Sequence, residues 1–310
     1  VSARRSFVRP PRLAKGDRVA VVAPAGPLDR ESLDAGLRIL AARYDVAWDP
    51  DLLSRVRYLA GDDGRRGSEL LAALADPRTK GIVAARGGYG AMRLLPRVWP
   101  SVDGGPPAAG PAKLLVGFSD VTALHAALQA AGRGSVHGPV VTQLGTQPSS
   151  VVERFFAILE DGEAAPAPIG GTPIVGGVAE GPLLGGNLSV LTRLLGTPWM
   201  PDLAGAVLLL EDVGERPYRV DRMWTHLRLA GGFERVAGLA LGDFTDCEDP
   251  DGDFTLRDVL WSLAGETGLP CVGGLPIGHG AVNVPVGLGT QVRLDGGVGV
   301  LSFLEPAVTG

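Results

Sequence analysis

Cysteine is nearly absent from this chain: Cys247 and Cys271 are the two among 310 residues. That excludes a disulfide-built scaffold and points to a reducing compartment, the cytoplasm by default. Aromatic residues make up 5%, and no apolar run approaches the roughly 20 residues of a membrane span. Basic runs are missing too. With a net charge of −5 and a pI near 5.5, neither a nucleic acid nor an anionic membrane is expected as a partner. Residues 1–16 hold Arg4, Arg5, Arg9, Arg12 and Lys15 with no apolar stretch after them, a pattern that fits neither a signal peptide nor an anchor.

What is present is apolar content, 45% of the chain, enough at this length for about two domains with real cores. In the first half, short buried runs alternate with amphipathic stretches. Arg18 to Ala23, Asp45 to Trp48, Gly81 to Ala85, Leu114 to Gly117 and the segment near Ser135 read as strands; Asp29 to Arg43, Ser68 to Ala75, Val121 to Leu128 and Ser150 to Leu159 read as helices. This alternation predicts an α/β, doubly wound parallel sheet over residues 1–165. Residues 166–180 are rich in Gly and Pro and read as a linker with at most one short strand. Residues 181–310 then read as a smaller, β-rich α/β domain, with a hairpin turn at Gly296-Gly297.

Chemistry is sought at the carboxyl ends of the strands, where open α/β sheets bind ligands. Leu114 to Phe118 stops at Ser119 and Asp120, directly before a helical pattern. A serine on such a turn lies beside the free N–H groups of a helix start, as an acyl-transfer nucleophile requires. Serine and aspartate are also favoured helix caps, and Val121 replaces the second glycine of GxSxG, so partners must decide. Glu211 follows Val207 to Leu210, His279 follows Val272 to Gly278, and Arg86-Gly87-Gly88-Tyr89-Gly90 follows Ile82 to Ala85. A histidine can activate the serine, a carboxylate can fix the histidine's tautomer, and two amides can hold an oxyanion. The amide of Asp120 and one from Gly87 or Gly88 are candidates for the last role. Glu211 with Asp212 and Glu215 is equally readable as a solvated acidic edge.

No cofactor or metal is expected. The glycine turn fails the dinucleotide fingerprint, because Arg93 occupies the third glycine position of a register beginning at Gly88, and no P-loop exists. His125, His137 and His226 lack zinc spacing. The acidic stretch from Asp243 to Asp253 fails the calcium-loop pattern, placing Cys247 at its first ligand position, and reads as a solvated loop.

The strings VVAPAGP (Val21 to Pro27), ARGGYG (Ala85 to Gly90), GFSD (Gly117 to Asp120), GPLLGGNL (Gly181 to Leu188), LLEDVGERPYRVDRM (Leu209 to Met223) and GLPIGHG (Gly274 to Gly280) together resemble the LD-carboxypeptidases, or muramoyltetrapeptide carboxypeptidases. The resemblance runs in the family's order from about Leu13 to Phe303. It implies a flavodoxin-like N-terminal domain, a C-terminal swivelling domain, and a serine peptidase with its triad on Ser119, Glu211 and His279. The oxyanion donors then fall on Gly88 and Asp120. The implied substrate is a murein tetrapeptide, cut at the L,D bond to its terminal D-alanine in the cytoplasm. Arg86 is the candidate for its carboxylate; Asn187 either bonds substrate or caps the next helix. A homodimer is common in that family. Microcin immunity proteins, which cleave peptide–nucleotide conjugates, are similar in fold and triad and form the alternative, beside a noncatalytic small-molecule-binding α/β protein.

Overall fold

A computed structural model describes residues 6–101, 103–105, 112–249 and 252–310. The first lobe carries strands β1 (Arg18–Val22), β2 (Asp45–Ala47), β3 (Thr79–Ala84), β4 (Leu114–Gly117) and β5 (Ser135–His137) and helices α1 (Arg30–Ala41), α2 (Asp63–Ala75), α3 (Leu95–Val98), α4 (Thr122–Ala130), α5 (Val141–Leu144) and α6 (Ser149–Glu160). The second carries β6 (Ile169–Gly170), β7 (Thr172–Val175), β8 (Val178–Asn187), β9 (Val207–Val213), β10 (Gly238–Thr245), β11 (Cys271–Gly273), β12 (Val286–Leu288), β13 (Gln291–Asp295) and β14 (Val300–Phe303), with helices α7 (Leu188–Thr192), α8 (Pro217–Leu229) and α9 (Leu256–Thr267).

The first sheet runs β12-β5-β4-β3-β1-β2, with β1 to β5 parallel and β12 antiparallel to β5. The order 5-4-3-1-2 is the flavodoxin-like doubly wound topology. Alternate β1 residues divide between its faces, as the two-residue period of a strand demands. Val19 and Val21 pack with Leu33, Leu40, Val141 and Phe155, on the face covered by α1, α5 and α6. Ala20 and Val22 pack with Leu70, Leu94, Leu95 and Leu124, on the face covered by α2, α3 and α4.

The second sheet runs β6-β14-β13-β8-β9-β10-β11-β7, parallel in its centre from β8 to β11 and antiparallel at both margins. Leu208 and Leu210 of β9 pack toward Val220, Trp224 and Leu227 of α8. Val207 and Leu209 join Leu183, Val272, Val286 and Leu288 on the other side. Each side chain of this size, once buried, stabilises the fold by about 1.5–3 kcal/mol.

Three features differ from the sequence expectation. Residues 166–180 hold β6, β7 and the start of β8, and β6 and β7 form the two edges of the second sheet. A strand at an edge tolerates Pro173, whose missing N–H is not needed there. β8, the ten-residue strand beside β9, was not read from its glycine-broken sequence. Finally, β12 pairs with β5 of the first lobe, Val286 opposite His137, so the lobes share a strand-to-strand seam.

Other buried contacts fasten the same seam. Gln129, fully buried, mimics a backbone partner for Gly185: its Oε1 accepts from the Gly185 N–H at 3.1 Å and its Nε2 donates back to the Gly185 carbonyl at 3.4 Å. Thr122 Oγ1 accepts from the Asn187 N–H at 3.0 Å. The start of α4, directly behind Ser119, is thereby held against the end of β8.

Candidate active site

Glu211 of β9 and the polar residues in the turns after β3, β4 and β11 meet at one place on the seam. β4 ends at Gly117, whose carbonyl accepts from His125 Nε2 at 2.9 Å and from the Gly138 N–H at 3.1 Å. Ser135 Oγ donates to the other ring nitrogen of His125 at 2.9 Å. Burial pushes this imidazole down to about 4, so it stays neutral and its tautomer is set by those two partners. The strand end that carries the serine is therefore held from behind.

Ser119 has φ +63°, a left-handed conformation that costs a non-glycine residue about 1–3 kcal/mol and persists only where surroundings enforce it. Its hydroxyl caps neither the short turn at Ser119–Val121 nor α4. It lies instead 3.0 Å from His279 Nε2. His279 Nδ1 lies 2.6 Å from Glu211 Oε2. Because the carboxylate can only accept, Nδ1 carries the proton and Nε2 is free to accept from the serine. The structure thus brings together three side chains separated by up to 160 residues in sequence.

Glu211 is fully buried, not part of a solvated edge. Burial pushes its carboxyl up, while the bond to His279 pulls it down. Asp212 is buried as well, but on the opposite side of β9, where it accepts from Asn187 Nδ2, the Ser189 N–H and Ser189 Oγ at 2.8 to 3.1 Å. Alternation along the strand explains the split: one carboxylate faces His279, the next anchors α7. Phe118 lies 4.7 Å from the His279 ring and 5.8 Å from the His137 ring between centroids.

The glycine turn after β3 closes over the serine. A Cβ on Gly87 would lie 2.7 Å from Ser119 Cβ and 2.8 Å from its Oγ, so only glycine fits that approach. Gly87 also accepts from the Gly26 N–H at 2.9 Å, tying the turn to the loop after β1. The N–H groups of Gly88 and Asp120 donate to no protein acceptor among the described residues, which leaves both available to an oxyanion. The Asp120 carboxylate turns inward and accepts from the Ala91 N–H at 2.7 Å, and burial pushes it up to about 6.

Arg66 was missed by sequence reasoning. It stands in the amphipathic pattern of α2 with no mark of function, yet it is fully buried and donates to the carbonyls of Pro24 and Gly90 and to Asp63. One guanidinium so braces the loops after β1 and β3 against each other. Its burial comes from tertiary placement, which local spacing does not encode.

Two candidates fare differently from the triad residues. Arg86 is exposed, donates to the Pro27 carbonyl and pairs with no carboxylate among the described residues. Asn187 is buried and engaged at both ends of its amide: Oδ1 accepts from the Val190 N–H at 3.1 Å, capping α7, and Nδ2 donates to Asp212. The cap on α7 accounts for its oxygen, and one of the two Nδ2 N–H groups is taken by Asp212; the amide also lies near enough to Glu211 to lower its carboxyl. The stretch Asp243 to Asp253 includes Pro250 and Asp251, which lie outside the described residues.

Similarity to known proteins agrees in extent with the two lobes. Residues 19–138 match the LD-carboxypeptidase N-terminal domain and residues 180–294 the LD-carboxypeptidase C-terminal domain. The murein tetrapeptide carboxypeptidase of Pseudomonas aeruginosa is 34% identical over 90% of this chain and 93% of its own length. The crystal structure of muramoyltetrapeptide carboxypeptidase from Oxalobacter formigenes superposes with a TM-score of 0.78 at 30% identity, covering 92% of this chain and 97% of that one. The microcin C7 self immunity protein MccF has a TM-score of 0.82 at 20% identity, over 97% of this chain and 100% of its own, a likeness of fold. With both domain models matched in order across most of its length, the chain belongs to the LD-carboxypeptidase family.

Proposed function

We propose that this protein is a serine carboxypeptidase that hydrolyses the L,D peptide bond to the terminal D-alanine of murein tetrapeptides. The observation that carries the reading is the continuous Ser119–His279–Glu211 relay, 3.0 Å and 2.6 Å in its two links. The names of the Pseudomonas aeruginosa and Oxalobacter formigenes relatives support the choice of substrate. The free, buried thiols of Cys247 and Cys271 suit work in the cytoplasm on recycled cell-wall fragments.

In this mechanism Ser119 Oγ attacks the carbonyl preceding D-alanine while His279 Nε2 takes its proton. Glu211 holds Nδ1–H and stabilises the imidazolium that forms. The Gly88 and Asp120 amides receive the negative charge of the tetrahedral oxygen. His279 then returns the proton to the amine of D-alanine, which departs, and a water activated by the same imidazole releases the acyl group. Arg86, exposed at the rim of the turn and held there by the Pro27 carbonyl, with the Asp29 carboxylate in its field, offers a planar guanidinium to the substrate's terminal carboxylate.

The test compares purified protein on a murein tetrapeptide and on an aminoacyl-sulfamoyl-adenosine-type conjugate with a cleavable bond, following D-alanine and nucleoside release. Preference for the tetrapeptide is expected; preference for the conjugate would replace this reading with the microcin-immunity type. A second expectation concerns Gly278, which lies at φ +122° with the position of a Cβ 2.6 Å from Glu211 Oε2. Gly278→Ala pushes the carboxylate off His279, and misplacement by about 1 Å costs on the order of 100-fold in rate. D-alanine release by this variant at saturating substrate reads the effect directly; full activity would contradict it.

A further inference from the structure

A second imidazole adjoins the relay and has no role in the mechanism above. His137 ends β5, opposite Val286 of β12, and is fully buried. Neither of its ring nitrogens has a hydrogen-bond partner among the described residues. The same is true of Glu211 Oε1, the carboxylate oxygen that does not face His279. These orphans confront each other: His137 Nε2 is 4.0 Å from Glu211 Oε1, with both side chains at zero exposure. A gap of that size has no room for a water, and a shift of about 1 Å brings the pair to hydrogen-bond distance. Buried polar atoms left unpaired are costly, and here they face each other across a distance that a small shift closes.

We propose that His137 is a positioning residue for Glu211, its neutral ring donating Nε2–H to Oε1 so that the carboxylate stays ionised and aligned on His279 as positive charge develops there. The proposal rests on the triad reading of the preceding section. The surroundings favour it. Burial, with His125 and His279 nearby, drives the His137 imidazole well toward its neutral form, and a neutral imidazole can donate from one nitrogen. The ring is held at that place by Phe118 at 5.8 Å and by His125 at 6.5 Å between centroids. Burial also pushes the Glu211 carboxyl up, and a donor on its free oxygen opposes protonation there. Phe118 contacts both imidazoles, at 5.8 Å from His137 and 4.7 Å from His279 between centroids, and each ring faces a different oxygen of the carboxylate.

Two variants separate a hydrogen bond from packing. His137→Phe keeps a ring and loses the donor; His137→Gln keeps a donor and loses the ring. The expected result is a 10- to 100-fold fall in kcat for His137→Phe (on the order of one lost charge-assisted bond), with KM within about twofold, and a rate for His137→Gln at least fivefold above that of the Phe variant. Equal rates, or a Gln variant slower than the Phe variant, would assign His137 to packing and overturn the proposal. A measurement on the unaltered protein stands beside these should either variant fail to fold. Nitrogen-15 imidazole spectra are expected to place the His137 proton on Nε2, in slow exchange; an Nδ1–H tautomer would equally overturn it. Ser119→Ala, assayed in parallel, distinguishes the failures: if it retained D-alanine release, the triad reading itself would fall, whereas an inactive Ser119→Ala beside a fully active His137→Phe would remove only the role of His137.

Discussion

Ser119→Ala is expected to lower kcat for D-alanine release by about 10⁴- to 10⁶-fold, the range seen when a triad nucleophile is removed. The effect is large because the hydroxyl is the atom that forms the covalent bond, and no neighbour replaces it. The nearest polar side chain, His279, is placed to move a proton. Substrate affinity should change little, since the alanine leaves the Gly87 turn and the rim undisturbed. The variant should also fold: alanine at φ +63° bears the same backbone strain that serine already bears. Equilibrium binding of tetrapeptide, measured by calorimetry beside the kinetic assay, checks both halves. Weakened binding with a preserved rate would contradict the role of Ser119.

Glu211→Gln is expected to be nearly as damaging, about 10³- to 10⁴-fold in kcat, while leaving the protein at least as stable as the parent near neutral pH. The amide keeps the volume of the side chain, but its NH₂ can meet Nδ1 only if the imidazole takes the wrong tautomer, and its neutral oxygen offers less to an imidazolium. The stability half follows from the sign of the shift. Burial raises the folded carboxyl above its ordinary 4.5, so above that value the ionised group works against the fold, and a neutral replacement removes that burden. Loss of the bond to His279 offsets part of the gain. Thermal melts at pH 7, set beside kcat, test the pair of outcomes. A variant that unfolds as it loses activity would show Glu211 to be a structural residue first.

The parts of this site that were legible in the sequence are those whose signal is local. Ser119, Glu211 and the glycine turn each directly follow an apolar run, His279 closes the short loop after another, and the rule that ligands meet the carboxyl ends of strands collects them. The doubly wound character of the first sheet follows from the alternation of strand and helix patterns, and its flavodoxin-like order from the family resemblance. What escaped is set by distant neighbours. β8 was hidden because Gly181, Gly185 and Gly186 interrupt its apolar alternation, and those positions are dictated by Gly205, Leu209 and Thr122, which approach from other elements. The pairing of β12 with β5 has no trace in the three residues Val286–Leu288. Arg66 and His137 acquire their positions only through burial, and polar side chains in ordinary helix and strand patterns do not announce burial. Asn187 was open to two readings because a capping amide and a substrate-binding amide look alike until its partners are known.

The central claim is that Ser119, His279 and Glu211 act as one unit. A double-mutant cycle on kcat reads that directly, comparing Ser119→Ala, Glu211→Gln and the protein with both changes. If the carboxylate works only through the serine, the double variant should be about as slow as Ser119→Ala alone, since a relay that has lost its nucleophile has nothing more to lose. Losses that multiply, leaving the double variant a further 10³-fold or more below Ser119→Ala, would contradict the relay and separate the two residues into independent roles.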